Sequence, residues 1–309
     1  MNKNKGKVIV VLGTTSAGKT SLGVRLAYEL DGEVVSVDSR QVYRGMDIGT
    51  GKDLKEYVVE GKNIKHHLID IADPKDRFSL ASYQKLAFEA IDDILERGKL
   101  PILVGGTGQY LEAVVDNYIL SEARPNEELR KELELLEVDE LYNKILSLNK
   151  VFSENINESD RKNKRRLIRY IEVLSASSGH FEPSKRPEEL RYDFLILGLI
   201  WSKEALSQRI DKRLKERLEE GLVEEVGQLN RDGVSFERLE ELGLEYRYVS
   251  QYLKDELEYD EMIEKLSREL KKFAKRQMTW YRRWERQGRE IRWIGGKGEA
   301  DELVKEFIK

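Results

Sequence analysis

Apolar and polar positions come in blocks over the first hundred or so residues, and the blocks switch between two periods. Val8-Ile9-Val10-Val11-Leu12 is a short unbroken apolar run, the mark of a strand buried on both faces. From Ser21 to Leu30, Leu22, Leu26 and Leu30 recur every fourth residue, which predicts a helix. Glu33 to Val37 reads as a second strand ending at Asp38, and His66 to Ile71 as a short third. In Ser79 to Arg97 the residues Leu80, Tyr83, Ala87, Ile91 and Ile94 share one helical face, with Ser79 placed to cap the helix and Gly98 to end it. Leu100 to Val104 is a further strand, running into Gly105-Gly106-Thr107-Gly108. This alternation predicts an α/β fold with a mostly parallel sheet flanked by helices. Ligands of such sheets bind beyond the carboxyl ends of the strands, which gathers the turn after the first strand, Asp38 and Thr107 at one rim.

The pattern changes near Leu120. Glu122 to Ser177 is polar with a helical period, and Phe194 to Ile200 is again a buried strand. The expected organisation is a core of residues 1–120 and 191–309 interrupted by an all-helical insertion domain, 121–190. Pro183 to Pro187, with Ser184 and Lys185, reads as a mobile connection back into the core. The C-terminal region is helical, with helices expected at 203–230, 236–254 and 260–287, a last strand at Ile291–Ile294 and a closing helix at Glu299–Lys309.

Composition narrows this picture. A chain of 309 residues with a formal net charge of −4 is not a basic nucleic-acid binder as a whole, so any such surface must be local. There is no cysteine, which excludes disulfides and thiolate metal sites and fits a reducing compartment. The N-terminal apolar run is too short for a signal peptide, and no stretch reaches the length of a membrane span. A cytoplasmic protein is expected.

The chemistry begins at Gly13-Thr14-Thr15-Ser16-Ala17-Gly18-Lys19-Thr20, which has the phosphate-loop (P-loop) spacing G-x-x-x-x-G-K-[ST] between the first strand and the first helix. Loop amides cradle phosphate oxygens at a helix N-terminus, Lys19 adds a fixed positive charge, and the Thr20 hydroxyl can reach a phosphate-bound Mg²⁺. The motif says what is held, a polyphosphate or diphosphate, and leaves open what happens next. Asp38 at a strand's carboxyl end has three readings: Mg²⁺ ligand, general base, or cap. Gly105 to Gly108 stands where a Walker B strand would end in an acid, so motor-type ATPases are disfavoured.

Two basic clusters interrupt the acidic total. Arg161, Lys162, Lys164, Arg165, Arg166 and Arg169 have no acid among them, and Arg268 to Arg292 carries ten basic and three acidic side chains, accompanied by the aromatics Trp280, Tyr281, Trp284 and Trp293. Phosphate-pairing cations with aromatic faces are the footprint of RNA recognition. Either cluster alone reads more simply as a solvated helix face with its aromatics turned to the core. The acidic stretch from Glu122 to Glu140 is such a solvated face. His66-His67 with Asp70 lacks metal-ligand spacing and reads as structural.

Taken in order, these pieces resemble the tRNA dimethylallyltransferase family, also called tRNA isopentenyltransferases. The matching segments are Gly13 to Thr20, Asp38-Ser39-Arg40-Gln41-Val42-Tyr43 continuing to Met46-Asp47-Ile48-Gly49-Thr50, His66 to Ile71, Val104 to Gly108, Arg165 to Arg169, and Lys275-Arg276-Gln277-Met278-Thr279-Trp280. They cover nearly the whole chain. The resemblance implies transfer of a dimethylallyl group from dimethylallyl diphosphate to N6 of the adenosine 3′ of the anticodon. In that reading the loop, Lys19, Arg213 and Mg²⁺ at Thr20 hold the diphosphate, and Asp38 is the base toward the adenine amine. The anticodon stem-loop of tRNA is then the partner of Asp38, Ser39, Arg40, Gln41, Thr107, Arg130, Arg165, Arg166, Leu167, Ile168 and Arg169. A second set on the C-terminal helix is Lys275, Arg276, Gln277, Met278, Thr279, Trp280, Tyr281 and Arg282. A monomer without membrane attachment is implied. Three departures stand out: Thr14 replaces a usual proline, Ser16-Ala17 reverses a common order, and Gly243 to Arg247 differs from the usual Gly-Tyr-Arg-Gln.

The rival readings are an ATP-dependent small-molecule kinase of the P-loop class, a prenyltransferase acting on a free adenine nucleotide, and an RNA-binding scaffold with a relict loop. The chain is longer than such a kinase needs, the extended basic helices favour a polymeric acceptor, and intact Lys19, Thr20 and Asp38 disfavour the scaffold.

Overall fold

The computed structural model describes residues 5–121, 123, 126–177, 189–295 and 297–309. The connection expected at Pro183–Pro187 lies outside them, as does Glu122 of the acidic stretch. The chain divides into two compact units, Met1–Asp116 with Leu190–Lys309, and Asn117–Glu189.

In the larger unit, strand β1 (Lys7–Gly13) leads into helix α1 (Lys19–Glu29), and β2 (Glu33–Val37) is followed by a long loop and a 3₁₀ turn, Leu54–Tyr57. A small hairpin of β3 (Val58–Val59) and β4 (Lys62–Asn63) precedes β5 (His66–His67), α2 (Leu80–Glu96), β6 (Pro101–Gly105) and α3 (Gly108–Val115). The smaller unit holds α4 (Glu127–Leu133), α5 (Val138–Leu148), α6 (Lys150–Glu154), α7 (Glu158–Arg161) and α8 (Lys164–Ala176). The chain returns through β7 (Asp193–Leu199), α9 (Lys203–Glu219), α10 (Leu222–Arg231), α11 (Phe236–Leu242), α12 (Leu244–Leu253), α13 (Tyr259–Arg286), β8 (Arg292–Ile294) and α14 (Lys297–Ile308).

The main sheet is parallel throughout, in the order β5-β2-β6-β1-β7-β8. Central β1 is buried on both faces. Val8, Val10 and Leu12 point into a core shared with α2, α3 and α13, while Ile9 and Val11 point into a second core shared with α1 and α14. Pairing of Leu12 with Gly105 and of Gly13 with Leu199 brings the strand ends level, so the loops after β1, β2 and β6 share one rim.

The expected β/α alternation is present, with four local corrections. His66–Ile71 forms only the two-residue β5, because Leu68 and Asp70 adopt left-handed backbone at φ 63° and 58°. The helix expected at 203–230 breaks at Gly221, whose φ of 102° no other residue adopts cheaply. The helix expected at 236–254 breaks at Gly243 into α11 and α12. The closing helix begins at Lys297, ahead of Glu299. As expected, Ser79 caps α2, its side chain accepting from the Ser82 N–H at 3.0 Å.

The smaller unit is built on asparagine caps. Asn126, Asn149, Asn157 and Asn163 each accept a backbone N–H at the start of α4, α6, α7 and α8. Its core includes Leu133, Leu141, Ile145, Phe152, Leu167, Ile168 and Ile171.

Helix α13 spans 28 residues and buries Leu266, Leu270, Ala274, Gln277, Tyr281 and Trp284 along one stripe. The stripe crosses the β6–α3 turn, where packing requires glycine against α13 at Gly108 and against β2 at Gly105. A Cβ on Gly108 would lie 2.4 Å from the Trp280 indole, and one on Gly105 would lie 2.0 Å from the Val37 carbonyl oxygen. Gly108→Ala is expected to cost about 1–3 kcal/mol through overpacking, read as a lower midpoint in urea unfolding. An unchanged midpoint would mean that α13 does not seat on this turn.

Candidate active site

The phosphate loop leaves β1 at Gly13 and enters α1 at Lys19. Ser16 and Gly18 hold left-handed backbone, φ 60° and 90°, which turns the loop back on itself. The Ala17 N–H returns to the Thr14 carbonyl at 3.2 Å. Lys19 arches over the loop, its Nζ donating to the Thr14 carbonyl at 2.8 Å. Distant side chains grip the loop from both sides. Arg209 Nε donates to the Ser16 carbonyl at 2.8 Å, and Trp201 Nε1 to the Ala17 carbonyl at 3.0 Å. From α13, Gln277 accepts the Thr15 N–H at 2.8 Å and Tyr281 donates to the Gly13 carbonyl at 2.9 Å.

Facing the loop is α9, capped by Ser202. Arg209, Arg213 and Arg217 recur on it every four residues and so share a face. They line a cleft of about 310 Å³ together with Ser16, Gly18, Lys19, Thr20, Asp53 and Glu56. Arg213 pairs with Asp53 at 2.8 Å, and Arg217 donates to the Gly49 carbonyl at 3.2 Å and to Glu245 at 3.0 Å. Burial first, then repulsion from Arg213, pulls Lys19 down to about 8, partly opposed by Asp38. Burial and Arg217 likewise lower Arg213. Cations depressed by burial and by each other are relieved by a bound anion, so the cleft is electrostatically prepared for a polyphosphate.

Asp38 follows β2 at the same rim. Its Oδ1 accepts the Arg40 N–H at 2.8 Å, and the next residue, Ser39, donates its N–H to the Thr107 hydroxyl at 3.0 Å. Thr107 in turn donates its own N–H to the Val37 carbonyl at 3.2 Å. The loop beyond is fastened at several points. Gln41 accepts from the Ser36 hydroxyl at 2.9 Å and donates to the Gly51 carbonyl at 3.0 Å. Fully buried Lys52 donates to the Tyr43 carbonyl at 2.8 Å and to Asp47 at 2.6 Å, and it pairs with Asp70. On α10, Glu225 accepts the N–H groups of Asp47, Ile48 and Gly49 at 2.8, 2.7 and 3.0 Å.

These positions revise several sequence expectations. Leu167 and Ile168 lie in the core of the smaller unit, and Gln277 and Tyr281 are on the buried face of α13. Their side chains are therefore withdrawn from an RNA surface and instead seat the helices that carry the cations. Met278 also packs against the core, and Trp280 is half-buried over Gly108. The exposed members of the two sets are Arg165 and Arg166 on α8, and Lys275, Arg276, Thr279 and Arg282 on α13. Arg166 is paired with Asp160, while Arg130 and Arg169 converge on buried Glu172, at 2.7 and 3.3 Å. Arg209, Arg217, Asp53, Lys52 and Glu225 were not anticipated. The four-residue spacing around Arg213 was the available signal for the first two.

A parallel α/β sheet, a loop of phosphate-binding spacing and an arginine face opposite it are the features of the P-loop class, and together they form a cationic cleft. A family model described as IPP transferase matches residues 41–284. The tRNA dimethylallyltransferase 1 of Syntrophus aciditrophicus is 47% identical over 302 residues, covering 98% of this chain and 97% of its own length. The full-length tRNA isopentenylpyrophosphate transferase of Bacillus halodurans superposes with a TM-score of 0.68 at 33% identity, over 99% of this chain and 96% of that one. A eukaryotic dimethylallyltransferase, described as acting on tRNA, gives 0.72 at 28% identity, over 89% and 69%. The chain belongs to the IPP transferase family.

With Lys19 lowered to about 8, it is charged below that pH and neutral above it in the free protein. Diphosphate affinity is therefore expected to weaken as pH rises past about 8, by up to about tenfold per unit, with net proton uptake on binding. In titration calorimetry the Lys19→Arg variant, whose charge persists, should lose that step. An identical pH profile in both would refute the assignment to Lys19.

Proposed function

We propose that this chain transfers a dimethylallyl group from dimethylallyl diphosphate to N6 of the adenosine 3′ of the anticodon in tRNA, releasing diphosphate. The observation that carries this reading is the shared rim. The phosphate loop and the α9 arginines stand beside Asp38 and Thr107, in a chain whose relatives bear that activity in their names.

The allylic C–O bond breaks toward the loop, and negative charge grows on the departing diphosphate. The loop amides, Lys19 and Arg213 stand where that charge develops, which lowers the barrier. The C–N bond forms from the adenine amine, which becomes strongly acidic as it does so. Asp38 takes that proton, and its orientation is fixed beforehand by the Arg40 N–H. The acceptor base cannot react while stacked, so it must be splayed out of the anticodon loop, at a cost of a few kcal/mol. Mg²⁺ would be held at the Thr20 hydroxyl, a hard oxygen donor, with the Glu56 carboxylate lining the same cleft and Asp53 engaged by Arg213. When bound, it would neutralise charge on the diphosphate oxygens. Exposed Arg165, Lys275, Arg276 and Arg282 supply phosphate contacts to the stem-loop. The enzyme is taken to act as a cytoplasmic monomer, and among the described residues no helix is long and apolar enough to cross a membrane.

Asp38→Ala should lower prenyl transfer by about 10²–10⁴ while leaving dimethylallyl diphosphate binding nearly intact. Near-normal turnover would remove Asp38 as the base. Arg165→Ala should weaken tRNA binding and reduce the slope of log affinity against log salt by about one. An unchanged slope would take α8 out of the interface.

A further inference from the structure

Gln277 stands out because it is a buried polar side chain on the helix expected to face RNA, yet both ends of its carboxamide reach into the donor site. Its oxygen accepts the Thr15 N–H at 2.8 Å, and its Nε2 donates to the Gly106 carbonyl at 3.0 Å. The orientation is fixed by chemistry, since the flipped amide would set donor against donor and acceptor against acceptor. We propose that Gln277 sets the length of the anion this site accepts, by holding the Thr15 amide and so closing the phosphate loop to a third phosphate.

The cleft is lined by the second half of the loop, Ser16, Gly18, Lys19 and Thr20. Walking back toward β1, the Ala17 N–H is bound to the Thr14 carbonyl. Beyond Ser16, which lines the cleft, the Thr15 N–H is the next backbone donor along the loop that a longer polyphosphate would need. There it would meet a carboxamide oxygen, an acceptor carrying partial negative charge. The carboxamide is itself closely held at its other end, since a Cβ on Gly106 would lie 2.7 Å from Gln277 Nε2 and 3.1 Å from the Gly13 carbonyl oxygen. Helix α13 cannot withdraw easily, because one turn on Tyr281 is fully buried and bonded to the same Gly13 and Gly106 carbonyls, at 2.9 and 3.3 Å. A phosphate loop that in other settings cradles nucleoside triphosphates is thereby cut down to a diphosphate site. This inference rests on the diphosphate-donor reading above and assigns its length selectivity to one residue.

The test is titration calorimetry of the full chain with inorganic diphosphate and inorganic triphosphate, each with Mg²⁺. Charge alone would favour the triphosphate, so the predicted order runs against simple electrostatics. The unaltered protein should prefer diphosphate by about tenfold, the scale of one charge-assisted hydrogen bond. Gln277→Met, similar in size but unable to hold the Thr15 N–H in this way, should shrink that ratio at least threefold (roughly, on the same scale). Gln277→Ala should shrink it further. Equal or tighter triphosphate binding by the unaltered protein overturns the proposal even if neither variant folds, as does an unchanged ratio in a folded variant. Dimethylallyl transfer to tRNA is measured on the same preparation. Transfer without length preference sinks only this inference, whereas absence of transfer sinks the functional reading itself.

Discussion

Everything at this site depends on an anion loop that is held open and in shape by side chains from far along the chain. A turn of backbone amides has no reason to keep one geometry when its ligand is absent. Here Arg209 and Trp201 secure its carbonyls from one side, while Gln277 and Tyr281 secure it from the other. The arrangement sets Ser16, Gly18, Lys19 and Thr20 of the loop along a cleft whose cations are destabilised by burial and mutual repulsion. Binding energy is then available for the charge that appears on a leaving group.

On the function proposed above, the same fastening would link donor chemistry to acceptor recognition. Helix α13 presents Lys275, Arg276 and Arg282 on its exposed side and Gln277 and Tyr281 on its buried side. The loop after β2 does likewise, with Asp38 at its start and Lys52, Gln41 and Glu225 holding its remainder. Residues that would be read from sequence as a single RNA-contacting motif thus separate into an outer row and an inner row. Only the outer row has its side chains exposed, and the inner row holds the loops in place.

What could be read from the sequence divides along the same line. The phosphate loop was legible because its spacing sits between an apolar run and a helical period, both local signals. The β/α alternation and the continuous α13 stripe were legible for the same reason. Gly221 and Gly243 escaped because a glycine within a helical period is compatible with either continuation or a break, and tertiary packing decides. Lys52 escaped because its partners, Asp47, Asp70 and the Tyr43 carbonyl, converge only in the fold. Gln277 was assigned to RNA with its neighbours, although the hydrophobic stripe of its own helix places it inward beside Ala274 and Tyr281. Arg209 and Arg217 were recoverable from their four-residue spacing about Arg213, but nothing local says that this face meets the phosphate loop.

The central claim is that diphosphate leaves into the loop while a neighbouring carboxylate deprotonates an adenine amine. The most direct measurement supplies labelled dimethylallyl diphosphate, Mg²⁺ and unmodified tRNA to the purified protein and maps the product by nucleoside. The account predicts label on N6 of the adenosine 3′ of the anticodon, with one diphosphate released for each adduct. Recovery of no alkylated adenosine, together with stoichiometric consumption of a nucleoside triphosphate, would contradict it.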